Sequence, residues 1–213
     1  MKKLIVFIGL MLLVAAGFAQ VSLKPVKIDS LITISLPEKF EKKDTLGQSI
    51  YNANGAYGFM TIIRAPNANQ EPLKKENDLN KVLKDYVKGI KGQSNGDVMN
   101  LRDTTVGHLK AKTFTLEVDE GAGVQSRNFI IIYTQDVTYT IEYYFEALRK
   151  ELAAGEYKAF AASLKVSPEL NRTDQYLSNA KGMSAPVKIA IYAGIAIVII
   201  GLIILFRRKK RED

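Results

Sequence analysis

Few residues in this chain have the types and spacing that chemistry needs. Glu117, Asp119 and Glu120 crowd the end of a strand-like stretch. Strand alternation puts Glu117 and Asp119 on one face, roughly 7 Å apart. Such a pair could hold Ca²⁺ or divide acid and base roles. No complete ligand loop surrounds it, and a solvated strand end running into a polar turn accounts for the same residues. Tyr139, Tyr143 and Tyr144 would line a ligand pocket if the sheet face carrying them were open, although tyrosine is equally at home in half-buried cores. His108 is the only histidine and follows Gly107 in a turn-like dipeptide. It reads as a surface residue, because metal and acid–base sites need partners. The chain contains no cysteine, which removes thiol nucleophiles, thiolate metal sites, disulfides and a lipid-bearing cysteine behind a leader. Gly121-Ala122-Gly123 lacks the helix and lysine of a phosphate cradle. These residues call for no cofactor and no metal.

The elements that would position them are legible as periodicities. Val26–Ile28 and Leu31–Leu36 read as a hairpin closed by Pro37, with Ile32, Ile34 and Leu36 as its core face. Ser49–Ala53 and Ala56–Ala65 flank Asn54-Gly55, a dipeptide suited to the positive backbone angles of a tight hairpin. Asp78 is placed to cap a helix from Leu79 to about Lys91. Leu79, Val82, Leu83, Tyr86, Val87 and Ile90 fall on one face of it, and Gly92 suits its C-terminal cap. Four strands follow: Val98–Thr105, Lys110–Asp119, Val124–Tyr133 and Val137–Phe145. Phe129 to Tyr133 is apolar on both faces, so cover is expected above and below it. Glu146–Ala154 and Glu156–Leu164 read as one interrupted or two short helices. The expected class is α+β, an antiparallel meander packed with helices.

The net charge of +8 would suit a nucleic-acid binder, but its distribution does not. Lys2 and Lys3 carry +2, the tail 207–213 carries +3, and the whole of 20–206 carries only +3. A basic stripe on the folded part is what nucleic acid needs, so no nucleic-acid partner is expected. Charge at two ends that flank apolar runs is what membrane targeting and orientation need. Residues 1–19 read as a secretory signal, with a lysine pair, an apolar stretch from Leu4 to Val14, and small residues that place cleavage between Ala19 and Gln20. Ile189–Phe206 is uncharged throughout and would cover roughly 27 Å as a helix. A transmembrane helix is therefore expected over 187–206, with the basic tail 207–213 in the cytoplasm. The folded domain occupies 20–166, and a polar stretch, 167–186, reads as a linker.

The order of elements resembles the PsbP-like family, including its DcrB-like bacterial members. The resemblance rests on the early strand ending in Leu36-Pro37 with Phe40 soon after, the amphipathic helix behind the first hairpins, the long meander, and Phe160-Ala161-Ala162-Ser163-Leu164 on the closing helix. It covers about 26–166. It implies an α/β/α sandwich and a non-enzymatic binding, assembly or accessory role, and no family motif for site residues maps onto this chain. The resulting expectation is a membrane-tethered extracytoplasmic binding or assembly module of the bacterial cell envelope. It would sit in the inner membrane with its domain periplasmic, acting on a protein partner or a small apolar ligand. The alternatives are a hydrolase-like envelope enzyme using Glu117 and Asp119, or a purely structural envelope component.

Overall fold

A computed structural model describes residues 21–178 apart from 68, 69, 120 and 122. The expected signal, the Ala19–Gln20 cleavage point, the spanning helix 187–206 and the tail 207–213 lie outside the described residues. Among those described, no helix is long and apolar enough to cross a membrane.

The chain opens with β1 (Leu23–Lys27) and β2 (Ile32–Pro37), an antiparallel hairpin. Ile32, Ile34 and Leu36 are buried, as alternation predicts. Next come β3 (Phe40–Thr45), β4 (Gln48–Asn54) and β5 (Phe59–Pro66), then the crossover helix α1 (Glu76–Ser94). The meander β6 (Asp97–Val106), β7 (Leu109–Asp119), β8 (Val124–Tyr133) and β9 (Val137–Glu146) follows. A 3₁₀ turn (Ala147–Arg149), helix α2 (Lys150–Ala162), the short strand β10 (Lys165–Val166) and a second 3₁₀ turn (Arg172–Asp174) complete the domain. The class is α+β, as expected.

Seven strands form one sheet in the order β3-β4-β5-β9-β8-β7-β6, with every neighbouring pair antiparallel. The crossover through α1 carries the chain from the middle of the sheet to its far edge, and the meander walks back until β9 closes on β5. One face is covered by a small second sheet, β1-β2-β10, together with α2. Its core contains Ile34, Met60, Ile62, Tyr139, Ile141 and Phe160. The other face is covered by α1 and the C-terminal turn, through Leu79, Leu83, Val87, Phe114, Phe129 and Ile131. Both faces of Phe129 to Tyr133 are buried, since β8 runs down the middle of this sandwich.

Several local expectations need correcting. β3 is an additional strand, of sequence FEKKDT and almost wholly exposed. It carries no apolar alternation because it is a sheet edge, where charged side chains oppose further pairing. Leu46 and Gly47 turn it into β4 with φ of 50° and 77°, the double positive φ that a two-residue hairpin turn requires. Asn54-Gly55 is not such a turn. The loop runs over residues 55–58, Gly55 N–H donates to Gly58 O at 2.8 Å, and neither glycine has positive φ. Asp78 is not the cap of α1. It lies inside the first turn, where its carboxylate accepts the Lys75 N–H at 2.9 Å. Asn95, at φ 49°, ends the helix instead of Gly92. The closing region is one helix, with Gly155 inside it.

The largest correction concerns the expected linker. Residues 167–178 belong to the folded domain. Leu170, Gln175 and Tyr176 are buried. The Gln175 amide accepts from Lys110 N–H and donates to Lys110 O and Tyr133 O, each at 2.8 Å, so it finishes the ladder between β7 and β8. Leu177 N–H and Ser178 N–H then donate to Leu73 O and Lys74 O at 3.0 and 2.9 Å. A polar sequence reads as linker because its apolar content is low, yet here Leu170 and Tyr176 enter the two cores, and backbone pairing and the buried Gln175 amide complete the attachment.

Candidate functional site

The tyrosines and carboxylates singled out from sequence do not come together. Tyr139 and Tyr143 are fully buried beneath the second sheet and α2, and Tyr144 is on the opposite face of β9, half-buried. The face that carries the first two is closed, so the three line no common pocket. Tyr139 O–H donates to Asp29 at 2.6 Å. Asp29 also accepts Arg64 Nε at 2.7 Å and the N–H groups of Leu31 and Ile32. Burial pushes the Asp29 carboxyl up, but these hydrogen bonds outweigh it and hold it below the usual carboxylate value. Tyr143 O–H donates to Glu156 at 2.7 Å, and Glu156 also accepts Ala56 N–H and Tyr57 N–H at 2.7 and 2.9 Å. Burial, followed by the carboxylate partner, pushes both phenols far up. They are neutral donors at any physiological pH, anchoring a strand hairpin and a loop.

Glu117 and Asp119 do share a face of β7, as alternation requires. Asp119 is exposed and its carboxylate accepts Gly121 N–H at 2.9 Å, closing the turn. Among the described residues no group of three or more His, Cys, Asp or Glu side chains could hold a metal ion. His108 is exposed at the Gly107 turn.

A different site emerges on the α1 face. Leu79, Leu83 and Val87 seat α1 over β7 and β8, which places the helix to one side of the sheet. The neighbouring ridge of the same helix, Val82, Tyr86, Gly89 and Gln93, overhangs a partly covered flank of β9 and β5, where Thr140 is buried and Glu142 and Ile63 are half-buried. Between them lies a cleft of about 790 Å³, within the range of small-molecule sites. Ile63, Ile90, Leu116 and Phe129 supply an apolar wall, and Arg127, Glu142, Asp85 and Thr140 supply polar groups. Tyr86 O–H and Thr140 O–H meet at 3.0 Å and tie the helix to β9 across the cleft.

Arg127 and Glu142 are the unusual pair. Phe129 of β8 lies opposite Glu142 of β9, and Arg127 opposite Tyr144, so Arg127 and Glu142 are diagonal neighbours across the hairpin. Their Nε and Oε1 atoms are 3.7 Å apart, an ion pair too long to be a hydrogen bond. Arg127 Nε is buried and has no hydrogen-bond partner among the described residues. The guanidinium lies over the Tyr144 ring at 5.7 Å, which orients it. Desolvation raises the Glu142 carboxyl above its ordinary value, with Arg127 opposing the shift. Gly89 is exposed on the overhanging ridge, and no atom lies within 4 Å of where its Cβ would be. A glycine inside a helix costs about 0.5–1 kcal/mol relative to alanine, and here it leaves the cleft open.

This site was missed from sequence, although a signal was present. Glu142 is a single charge in the strand Thr140-Ile141-Glu142-Tyr143, and the turn at Gln135-Asp136 sets a register that puts Arg127 diagonal to it. What alternation could not say is that α1 would leave that part of the face uncovered.

With the geometry in hand, comparison with known proteins is informative about the fold. No family model matches the chain, and no curated protein matches it. Among solved structures, the cyanobacterial PsbP of Synechocystis superposes with a TM-score of 0.52 at 14% identity, over 70% of this chain and 95% of that one. The fold is PsbP-like. LpqN of Mycobacterium tuberculosis, described as involved in cell envelope biogenesis, gives a TM-score of 0.46 at 12% identity, over 69% of this chain and 91% of that one. The PsbP-like sandwich agrees with the resemblance in element order. The shared architecture does not itself designate a site.

Proposed function

We propose that this chain is a membrane-tethered, extracytoplasmic binding module of the bacterial cell envelope, and that the α1 cleft is where it binds. The cleft carries the proposal. Among the described residues it brings apolar side chains and the Arg127–Glu142 ion pair together in a volume suited to a small ligand. The proposal is of binding, because among the described residues the cleft pairs no nucleophile with an activating base. The tethering rests on the sequence at both ends: the leader pattern of 1–19, the apolar run Ile189–Phe206, and the arginines and lysines behind it. Folding of 167–178 tightens the tether. Only residues 179–186 separate the domain from the expected span, and eight residues reach at most about 29 Å in any conformation. Ligand would then be held close to the bilayer surface.

The binding claim is tested by native mass spectrometry of the full-length chain, extracted in mild detergent, beside Gly89→Trp. The indole should occupy the cleft, so an adduct seen on the wild type should be missing from the variant. Absence of any adduct, or its persistence in Gly89→Trp, sinks the claim. Topology is tested separately. The chain has no cysteine, so Leu148→Cys on the fully exposed Leu148 and Glu212→Cys in the tail each introduce one thiol. A membrane-impermeant maleimide should label the first in spheroplasts and the second only after permeabilisation; the reverse order contradicts the tethering proposal.

A further inference from the structure

The end of the domain that meets the bilayer follows from where the chain leaves it, on the premise that 187–206 spans the membrane. The Gln175 amide donates to Tyr133 O at 2.8 Å, and Gln135 N–H donates to Asp174 O at 2.7 Å. The last described residues thus cross the end of the sheet where β8 turns into β9. The register carries that end outward to the sheet edge. Tyr139 lies opposite Arg64, Arg64 opposite Ser49, and Ser49 opposite Asp44. The β3–β4 turn at Leu46 and Gly47 belongs to the same end.

The length of the tether excludes the opposite end. β8 runs ten residues from Val124 to Tyr133, about 30 Å at roughly 3.3 Å per residue. A tether that starts beside Tyr133 would use all of its roughly 29 Å to run back along that strand, with nothing left to reach the span. Leu148 follows β9 at the far end and is fully exposed there. It is held away from the bilayer.

The exit end carries side chains that a bilayer accepts. Leu46 is 98% exposed, at a φ of 50°. A two-residue turn of this kind favours asparagine or aspartate at that position, and the leucine at its apex packs on nothing in water. Leu177 is 60% exposed and shares a shallow groove with Pro72 and Leu31. Charges of both signs are exposed at this end, Lys27, Lys74 and Lys75 against Glu71, Asp136 and Glu169. Attraction to anionic lipid is then weak, and apolar contact decides. One leucine moved from water into an apolar phase gains about ten-fold or more in partition. That would not hold a free domain, but the tether already supplies a high local concentration of bilayer.

We propose that the exit end is a bilayer-docking face. Leu46 at the hairpin apex and Leu177 beside the tether insert into the lipid interface and hold the domain with Leu148 outermost.

The test uses the full chain in phosphatidylcholine nanodiscs, with a polarity-sensitive fluorophore on one introduced thiol at a time. In Leu46→Cys and Leu177→Cys the emission should shift to the blue and be quenched by nitroxide-bearing lipid. In Leu148→Cys it should be quenched by aqueous iodide and not by the lipid. High salt should leave this pattern unchanged, since the contact is apolar. A label placed on the exposed Gln48 keeps Leu46 native: Gln48→Cys should be quenched by the lipid nitroxide, and adding Leu46→Asp should abolish that quenching. Lipid quenching at Leu148, iodide access at Leu46 equal to that at Leu148, or a Gln48 label indifferent to Leu46→Asp overturns the docking face. The premise is read separately with Glu212→Cys. If that thiol labels only after permeabilisation while no probe at the exit end is quenched by lipid, docking falls and the tether stands. If it labels in intact spheroplasts, both fall.

Discussion

Two charged sites on opposite faces of the main sheet are arranged in opposite ways. Under the second sheet, Asp29 collects four hydrogen bonds, from Tyr139, Arg64, Leu31 and Ile32, and Glu156 collects three. Under α1, Arg127 and Glu142 stand 3.7 Å apart, with Arg127 Nε unmatched. Both arrangements put carboxylates in partly buried surroundings. The first is saturated and the second is not. Saturation is what fold stability demands of a buried charge, and the unsaturated pair lies in the cleft proposed above as the binding site.

Substitutions should separate the faces by size of effect. Asp29→Ala strands Arg64, the buried Tyr139 hydroxyl and two N–H groups, and should cost about 3–5 kcal/mol in urea or guanidinium unfolding of the domain. A cost under about 1 kcal/mol would mean that this saturated site is not structural. Glu156→Ala frees the loop over residues 55–58 and leaves the Tyr143 hydroxyl unbonded, for about 2–4 kcal/mol by the same measurement.

The pH dependence follows from the same contrast. Asp29 has a folded pKa below its unfolded value of about 3.9. Its contribution is therefore present in full above the unfolded value and is lost as pH falls through the folded one. The stability gap between wild type and Asp29→Asn should be constant from pH 5 to 7, in the window about one unit or more above that value, and shrink on further acidification. A gap that widens toward low pH would contradict the assignment. For Glu142 the sign is opposite. Its carboxyl is raised by burial, so the contribution of its protonated form is present in full below the unfolded value of about 4.3 and is lost as pH rises through the folded one.

On the α1 face the effects should be small. Replacing the pair together, as Arg127→Met with Glu142→Leu, should leave unfolding stability within about 1 kcal/mol of wild type, because neither group is left alone. A loss comparable to Asp29→Ala would show that the two faces do not differ. Gly89→Ala should raise stability by about 0.5–1 kcal/mol, since its Cβ meets nothing within 4 Å. Thermal or chemical unfolding would detect either sign.

The legible and illegible parts of this protein divide along physical lines. β2, α1's apolar face, β7, β8 and β9 were readable because each buries a regular set of side chains, and a buried set leaves a period in the sequence. β3 was not, because an edge strand gains its stability from backbone pairing and keeps its side chains in water. The segment 167–178 was read as linker for a similar reason. Its attachment depends on two isolated apolar side chains, Leu170 and Tyr176, on the Gln175 amide and on a few N–H groups, none of which forms a period. At the tyrosines the pocket reading failed because Tyr144 is on the face opposite Tyr139 and Tyr143, and because which face is covered depends on β1, β2 and α2, whose positions are not local. The same gap hid the cleft.

By itself the sequence determined the α+β class, the identity of most strands and the inward sides of the central ones, because hydrophobic periodicity is a local consequence of burial. It also determined that the excess charge belongs to the chain's ends. Only the tertiary structure decided that Tyr139 and Tyr143 are anchors, that 167–178 is domain and not tether, and that α1 sits far enough over β7 and β8 to leave Arg127 and Glu142 facing an open cleft. Those outcomes depend on where one packed layer stops relative to another, a long-range quantity that no window of sequence contains.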